Sequence, residues 1–167
     1  MFSDHQLSAA TAMLSQLRTA KLRLATAESC TGGLIAGLLT EFAGSSDVVE
    51  RGFVVYSNAA KAELLGVPAE LIAEHGAVSE PVARAMAEGA LRRSRADIAI
   101  AVTGVAGPGG GTAAKPVGLV HIAAARFGHA TLHEEHRFGD RGRGAVRSVT
   151  IDEALRLIAA IAIATAK

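Results

Sequence analysis

Residues 98–102 constrain the fold most strongly, because this run (IAIAV) is apolar throughout and does not alternate with polar residues. A strand of this kind has to be covered on both faces, which is typical of parallel strands in layered α/β proteins. Residues 22–27 and 48–56 also have the length and composition of strands. Only 4% of the chain is aromatic although 50% is hydrophobic, so we expect a core of small aliphatic side chains.

Helical patterns alternate with these strands. Ser3 and Gln6 have the spacing of a capping box that begins the first helix. Further helices are predicted over residues 34–42, from a cap at Asn58 to residue 65, from a cap at Ser79 to about residue 93, and around residues 151–162. Residues 118–127 and 131–138 predict a late β-hairpin. We therefore predict one layered α/β domain over residues 1–167, with a mixed, mostly parallel sheet and helices on both faces.

The charge balance argues against polyanionic partners. The formal net charge is +1, so no strong field would recruit nucleic acid or an anionic membrane surface. The N-terminal residues lack the basic and apolar regions of a signal peptide, and no apolar stretch is long enough to span a bilayer. Cys30 is the single cysteine, which excludes an internal disulfide and fits a reducing compartment. We expect a cytoplasmic protein.

A first candidate site follows the first predicted strand. Ser29 lies where that strand meets Gly32 and Gly33, so its hydroxyl is expected at the edge of the sheet. The unpaired N–H groups of the turn at Thr31–Gly33 could bind an oxyanion as a carbonyl is attacked. The alternative is that Ser29 is an ordinary helix cap. Cys30 is a second possible nucleophile, or else a small core residue.

A second candidate site follows the second predicted strand. Tyr56 is the only tyrosine, and Lys61 follows it five residues later. A serine hydroxyl needs a base to become a nucleophile. A lysine can act as that base if burial lowers its pKa, and a nearby tyrosine hydroxyl could relay the proton. The alternative is that Lys61 is a surface residue of a helix.

Two further segments have the composition of a binding site. The glycine-rich loop after residue 102 contains Thr103, Gly104 and Gly107, and ligands of α/β sheets gather at such strand ends. The loop matches neither a Walker A motif nor a dinucleotide-binding fingerprint. Arg141 and Arg143 precede the last helix and could bind a phosphate. A plain connecting loop is the alternative for the first segment, and a solvated loop with an Asp140–Arg141 pair is the alternative for the second.

Three histidines raise the possibility of a metal site. On the predicted hairpin, His133 and His136 are an odd number of residues apart, so their side chains are expected on opposite faces. His129 lies in the predicted turn. We therefore predict no metal site at these residues.

Taken together, these motifs resemble the CinA C-terminal domain family. The resemblance covers nearly the whole chain and rests on six segments: residues 27–33 (AESCTGG), 51–61 (RGFVVYSNAAK), 75–79 (HGAVS), 103–108 (TGVAGP), 115–118 (KPVG) and 139–141 (GDR). Members of this family include nicotinamide-nucleotide amidases. The resemblance therefore implies hydrolysis of nicotinamide mononucleotide to nicotinate mononucleotide and ammonia, in pyridine nucleotide salvage and without a metal or cofactor.

The resemblance also implies roles for particular residues. Ser29 would be the nucleophile, Lys61 its base and Tyr56 a partner in proton transfer, while Thr103 would support the serine or the reacting group. An arginine would help to bind the substrate. Arg141 keeps the family's Gly-Asp-Arg context, whereas Arg143 keeps the spacing to Arg147, so either could face the pocket.

Two expectations concern the whole protein. Many relatives carry a preceding nucleotide-related domain, and the length of this chain predicts the stand-alone form, which we expect to be a homo-oligomer such as a dimer. The alternative to an enzyme is a non-catalytic nucleotide-binding or regulatory module, because the same pocket could hold a nucleotide without turning it over.

Overall fold

The computed structural model of the chain describes residues 2–164. Six helices, five strands and one short 3-10 turn (Ser45–Asp47) follow one another within that range. In chain order, the helices and strands are α1 (Asp4–Thr19), β1 (Leu24–Glu28), α2 (Leu34–Leu39), β2 (Val49–Val54), α3 (Asn58–Leu65), α4 (Ala69–His75), α5 (Glu80–Arg92), β3 (Ile98–Gly104), β4 (Leu119–Arg126), β5 (Leu132–Arg137) and α6 (Arg143–Ile163).

The strands form one five-stranded sheet in the order β2-β1-β3-β4-β5. β1 pairs in parallel with β2 and with β3. β4 is antiparallel to β3, and β5 is antiparallel to β4. Four of the five strands therefore run in one direction. The predicted mixed, mostly parallel sheet and the late hairpin are confirmed.

The two faces of the sheet carry side chains of different size. On one face, larger aliphatic residues such as Leu24, Ile100 and Ile122 pack against α1, α2 and α6. The opposite face packs against α3, α4 and α5 and is lined by alanines, namely Ala25, Ala27, Ala99, Ala101, Ala123 and Ala125. Because an alanine surface is nearly flat, α5 can approach the strands closely. The predicted core of small side chains, covered by helices on both sides, is thus confirmed.

Two helix starts differ from the sequence prediction. The capping box of Ser3 and Gln6 is present as predicted. Ser57 rather than Asn58 caps α3, because the Ser57 hydroxyl accepts the N–H of Ala60 at 3.0 Å. Ser79 precedes α5 as predicted, but its hydroxyl donates to the Gly76 carbonyl instead of capping the helix.

Three further helices differ from the sequence prediction, including α6, which begins at Arg143 and thus before residue 151, where the predicted helical pattern starts. α4 is absent from the sequence prediction, because Gly66 and Pro68 favour a chain that leaves helical structure; Pro68 instead stands at the start of this short helix. α2 ends at Leu39, before the predicted limit at residue 42. None of these differences moves the strand ends that carry Ser29 and Thr103.

The carboxyl ends of β1, β2 and β3 meet at one edge of the sheet. Ser29 follows β1 directly, Lys61 lies one turn into α3 after β2, and Thr103 is the next-to-last residue of β3. The parallel pairing therefore brings together segments that are far apart in sequence.

Among residues 2–164, none of the helices combines the length and apolar character needed to cross a bilayer.

Close contact between α5 and α3 leads to a first prediction. A Cβ at Gly89 would lie 2.2 Å from the Leu65 carbonyl oxygen. We expect Gly89→Ala to lower the free energy of unfolding by about 1–3 kcal/mol, as is typical of overpacking. The matched control is Gly144→Ala in α6, where nothing lies within 4 Å of the added carbon. Urea denaturation should show the control to be neutral or stabilised by up to about 1 kcal/mol; equal losses in both variants would contradict this account.

Candidate active site

Ser29 and Lys61 form the centre of the candidate site. The N–H of Ser29 donates to the Val102 carbonyl at 3.0 Å, which fixes the residue to the end of β3. Lys61 is only 1% exposed, and its Nζ lies 3.0 Å from the Oγ of Ser29. The structure therefore brings together the two residues that the sequence suggested as nucleophile and base.

The other contacts of Lys61 match a neutral amine. Its Nζ donates to the carbonyls of Val55 at 2.9 Å and of Tyr56 at 3.3 Å. In a neutral amine these carbonyls can accept both N–H groups, which leaves the lone pair for the Ser29 hydroxyl; an ammonium can donate to the same two carbonyls and to the Ser29 Oγ. Burial lowers the pKa of Lys61 below its ordinary value, against a weaker opposing influence of Cys30. The contacts fit either protonation state, and desolvation shifts the balance towards the neutral amine.

Tyr56 approaches Lys61 through its main chain rather than its hydroxyl. The Tyr56 side chain is 60% exposed, and its hydroxyl accepts a hydrogen bond from the Arg143 Nη2 at 2.9 Å. The predicted relay of a proton through this hydroxyl has no matching contact, because the hydroxyl is bound to Arg143 and not to Lys61 or Ser29. The Ser29 Oγ and the Lys61 Nζ are instead in direct contact at 3.0 Å.

A cavity of about 210 Å³ opens onto the two central residues. It is lined by Ser29, Cys30, Tyr56, Asn58, Lys61, Ala77, Val78, Thr103, Gly104, Ala106 and Arg143. The Thr103 hydroxyl donates to the Ala77 carbonyl at 2.9 Å. Thr103 therefore lies in the wall of the cavity, where it holds the 76–79 segment in place, and its hydroxyl does not donate to Ser29 as the sequence analysis allowed.

The turn after Ser29 supplies different N–H donors from those expected. The Thr31 hydroxyl and the Gly33 N–H both donate to the Glu28 carboxylate, at 2.7 Å and 3.0 Å. The Gly32 N–H donates to the Ser29 carbonyl at 3.1 Å. Within the described chain, the N–H groups of Cys30 and Thr31 have no hydrogen-bond acceptor in another residue. The free donors therefore begin one residue earlier than the Thr31–Gly33 prediction.

The structure distinguishes the two candidate arginines. Arg143 lines the cavity, and its Nη1 donates to the Gly107 carbonyl at 3.1 Å. Arg141 is exposed and is not part of the cavity wall. Gly104 lines the cavity directly, whereas Gly107 contributes through its contact with Arg143. The candidate that lines the cavity is therefore Arg143, which keeps the spacing to Arg147, and not Arg141, which keeps the Gly-Asp-Arg context.

Several residues of the cavity wall had no predicted role. Asn58 was interpreted only as a helix cap, although its place at the start of α3 also puts it at the cavity. Ala77, Val78 and Ala106 are small or apolar and carry no chemical signature. Only the family resemblance points to these residues, because they lie within the segments 75–79 and 103–108 on which it rests.

Cys30 lies beside Ser29 but differs from it chemically. The Cys30 thiol is buried, and this burial raises its pKa to about 12. A thiol reacts as its thiolate, so the surroundings of Cys30 disfavour a nucleophilic role. Its side chain packs within the core on the α1, α2 and α6 side of the sheet.

The histidines of the hairpin are distributed as the strand alternation predicts. His133 stacks on His121, with a 3.0 Å contact between their ring nitrogens. His136 lies on the other face of β5 and contacts Glu134 at 3.1 Å. Among residues 2–164, one group of three potential metal ligands occurs, formed by Glu134, His136 and Glu153. The Arg156 guanidinium pairs with both of its carboxylates.

A larger cavity lies elsewhere on the protein. It measures about 440 Å³, lies between α1 and α6, and is lined by residues that include Met13, Gln16 and Leu155. Its lining contains no nucleophile paired with a base. We therefore locate the candidate chemistry at the smaller cavity beside Ser29.

Comparison with known proteins identifies the same family as the sequence motifs. The family model of the CinA C-terminal domain matches residues 6–162. A CinA-like protein of Syntrophus aciditrophicus is 54% identical over 157 residues, which cover 93% of this chain but 36% of that protein. The chain spans about a third of the length of the curated relatives that it matches.

Solved structures resemble the chain along nearly its full length. The competence/damage inducible protein CihA of Agrobacterium tumefaciens is 52% identical, with a TM-score of 0.95 over 96% of this chain and 98% of that one. A competence-damaged protein (CinA) superfamily protein of Escherichia coli is 32% identical, with a TM-score of 0.89 over 96% of this chain and 94% of that one.

The lowered pKa of Lys61 predicts a pH dependence of stability. Between the folded pKa and the unfolded value near 10.4, the unfolded chain binds the lysine proton more readily than the folded protein does. The free energy of unfolding of the wild type, relative to Lys61→Met, should therefore rise with pH by at most about 1.4 kcal/mol per pH unit. Denaturation of both proteins between pH 7 and 10 measures this difference. A difference that falls as the pH rises would contradict the assigned direction of the shift.

Proposed function

Since the chain belongs to the CinA C-terminal domain family, we propose that its Ser29–Lys61 pair hydrolyses the amide of nicotinamide mononucleotide to nicotinate mononucleotide and ammonia. The observation that carries this proposal is the 3.0 Å contact between the Lys61 Nζ and the Ser29 Oγ, at an amine whose other neighbours accept its two N–H groups. A buried amine so placed can take a proton from serine without help from a second side chain.

Acylation is the first half of the reaction. Neutral Lys61 removes the hydroxyl proton of Ser29 as the Oγ attacks the carboxamide carbon. We assign the resulting oxyanion to the N–H groups of Cys30 and Thr31, which have no acceptor in another described residue; removal of one oxyanion donor typically costs about 2.7–4 kcal/mol of transition-state stabilisation. Lys61 then gives its proton to the departing NH2 group, the C–N bond breaks, and ammonia leaves an ester on Ser29.

Deacylation repeats these steps with water. Lys61, again neutral, removes a proton from a water molecule that attacks the ester carbonyl. The C–O bond to Ser29 breaks, and Lys61 returns the proton to the Oγ. The free acid leaves, and both residues have regained their starting protonation states.

The size of the cavity favours binding of the pyridine end of the substrate. Its volume of about 210 Å³ is below the roughly 300–1,000 Å³ of pockets that enclose a drug-sized ligand. We therefore place the pyridine carboxamide inside, with the ribose phosphate outside at the mouth. Arg143 lies in the wall at the start of α6, where its charge and the helix dipole both favour an anion.

Ammonia release from nicotinamide mononucleotide by the purified protein is the primary test. We expect turnover in the wild type and none in Ser29→Ala or Lys61→Met, because each removes one member of the reacting pair. Cys30→Ala is the matched control, since it changes the adjacent side chain and should retain activity. Chromatographic detection of nicotinate mononucleotide identifies the product.

Two results of that assay would contradict the proposal. Activity retained in Ser29→Ala but lost in Cys30→Ala would make the thiol the nucleophile. Calorimetric binding of the mononucleotide by the wild type without any ammonia release would instead favour a non-catalytic nucleotide-binding or regulatory module.

The two arginines give a second prediction for substrate binding. A charge-assisted contact between arginine and phosphate is worth about 1.5–3 kcal/mol, so Arg143→Gln should weaken binding of the mononucleotide about 10- to 150-fold. Arg141→Gln is the control, because Arg141 lies two residues away, outside the cavity wall. Binding of the nucleoside without phosphate should change little in either variant. Equal losses for nucleotide and nucleoside would place Arg143 at the reacting end.

A further inference from the structure

Glu28 is a buried carboxylate that is bound only by neutral donors. It is the last residue of β1 and is 1% exposed. Its Oε2 accepts the Thr31 hydroxyl at 2.7 Å and the N–H groups of Gly33 and Ile35 at 3.0 Å each. Its Oε1 accepts the N–H of Ala36 at 2.8 Å. Within residues 2–164 no cationic side chain forms an ion pair with Glu28.

These contacts replace a missing helix cap. α2 begins after Gly33, which has a φ of +95° and offers no side chain to cap the helix. The first N–H groups of a helix need acceptors, and a negative charge at that end also interacts favourably with the helix dipole. Glu28, at the end of the preceding strand, supplies both the acceptor oxygens and the negative charge. The carboxylate thereby ties the end of β1 to the start of α2 across the turn that contains Ser29.

The same contacts determine which N–H groups of the turn remain free. Glu28 accepts those of Gly33, Ile35 and Ala36, and main-chain carbonyls accept those of Gly32 and Leu34. In the described part of the turn, only Cys30 and Thr31 keep N–H groups without an acceptor in another residue. These are the two residues directly after Ser29, and the residue after a serine nucleophile commonly supplies an oxyanion-binding N–H group.

We propose that Glu28 is a positioning residue for the reaction at Ser29. It acts through the turn: by accepting the helix donors, it holds residues 29–32 in the conformation that directs the hydroxyl of Ser29 towards Lys61 and leaves two N–H groups for the oxyanion. This role rests on the proposed serine chemistry, but not on the identity of the amide substrate.

Replacement by glutamine tests the role with little change of shape. Glu28→Gln keeps one acceptor oxygen, but its NH2 group then faces either the N–H of Ala36 or the donors of Thr31, Gly33 and Ile35. The turn should lose its fixed geometry even where the protein stays folded. Thr31→Val is a milder variant, because it removes only the hydroxyl that donates to Glu28.

Thr26→Val provides a matched control. Thr26 lies two residues before Glu28 on the same strand and is fully buried. Its hydroxyl has no hydrogen-bond partner among the described residues. The substitution therefore removes a buried hydroxyl of the same type without disturbing the turn.

The experiment measures two reactions for each folded variant, with the folded fraction determined by circular dichroism. The first is steady-state hydrolysis of nicotinamide mononucleotide. The second is the rate at which diisopropyl fluorophosphate phosphorylates Ser29 with loss of fluoride, followed by mass spectrometry. We expect Glu28→Gln to lower kcat and the labelling rate at least tenfold, with KM within threefold of the wild type. Thr31→Val should lower both rates about threefold or more, and Thr26→Val should stay within twofold.

Each other outcome overturns the positioning role. If Glu28→Gln labels Ser29 at the wild-type rate per folded molecule, Glu28 stabilises the fold only. If KM rises while kcat is unchanged, Glu28 acts on substrate binding. If the wild type is not labelled at Ser29, no activated serine exists to be positioned. A wild type that is labelled but does not hydrolyse the mononucleotide contradicts the proposed substrate, while the labelling series still decides the role of Glu28.

Discussion

The burial of Lys61 is the constraint on which the rest of the site depends. An ammonium ion without a charged partner is costly in a desolvated position, so burial favours the neutral amine. That amine would still leave two N–H groups to be satisfied, and the carbonyls of Val55 and Tyr56 accept them. The remaining lone pair faces the Ser29 hydroxyl at 3.0 Å. The burial that makes a charged Lys61 costly is therefore the property that would let it act as the proposed base.

The sheet makes this arrangement rigid. The N–H of Val55 donates to the Glu28 carbonyl at 2.8 Å, and the N–H of Ser29 donates to the Val102 carbonyl at 3.0 Å. The acceptor that orients Lys61 and the backbone that carries Ser29, the candidate nucleophile, are thus fixed to the same strand ends. The Glu28 carboxylate adds the start of α2 to this unit. Sites built on such regular elements hold their geometry better than sites built on free loops.

Much of the arrangement of Ser29 and Lys61 could be predicted from the sequence, because strand ends are easy to locate. Short apolar runs placed Ser29 and Lys61 after two neighbouring parallel strands, and the pairing of β1 with β2 then brought them together. The choice between Arg141 and Arg143 could not be made from local pattern, since it depends on where α6 begins relative to the cavity. The hydrogen bond from Arg143 to the Tyr56 hydroxyl joins residues 87 positions apart, so it cannot be inferred from local sequence spacing.

Glu28 shows a second limit of sequence reasoning. Within its segment, Glu28 precedes the candidate nucleophile and carries the only ionisable carboxylate, yet pattern alone does not say whether it reacts, binds a substrate or accepts backbone donors. The shape of the turn decides this, because the positive φ angles of Gly32 and Gly33 bring the start of α2 back towards the end of β1. The same geometry leaves the N–H groups of Cys30 and Thr31, rather than those of Gly32 and Gly33, without an acceptor in another described residue.

The most direct test of the central claim is to locate the covalent intermediate. The wild-type protein would be mixed with nicotinamide mononucleotide, quenched with acid before the steady state and mapped by peptide mass spectrometry. The account predicts an acyl adduct with the mass of the nicotinate mononucleotide acyl group on Ser29, and its loss in Ser29→Ala. An adduct on Cys30, or turnover that persists in Ser29→Ala, would contradict the account.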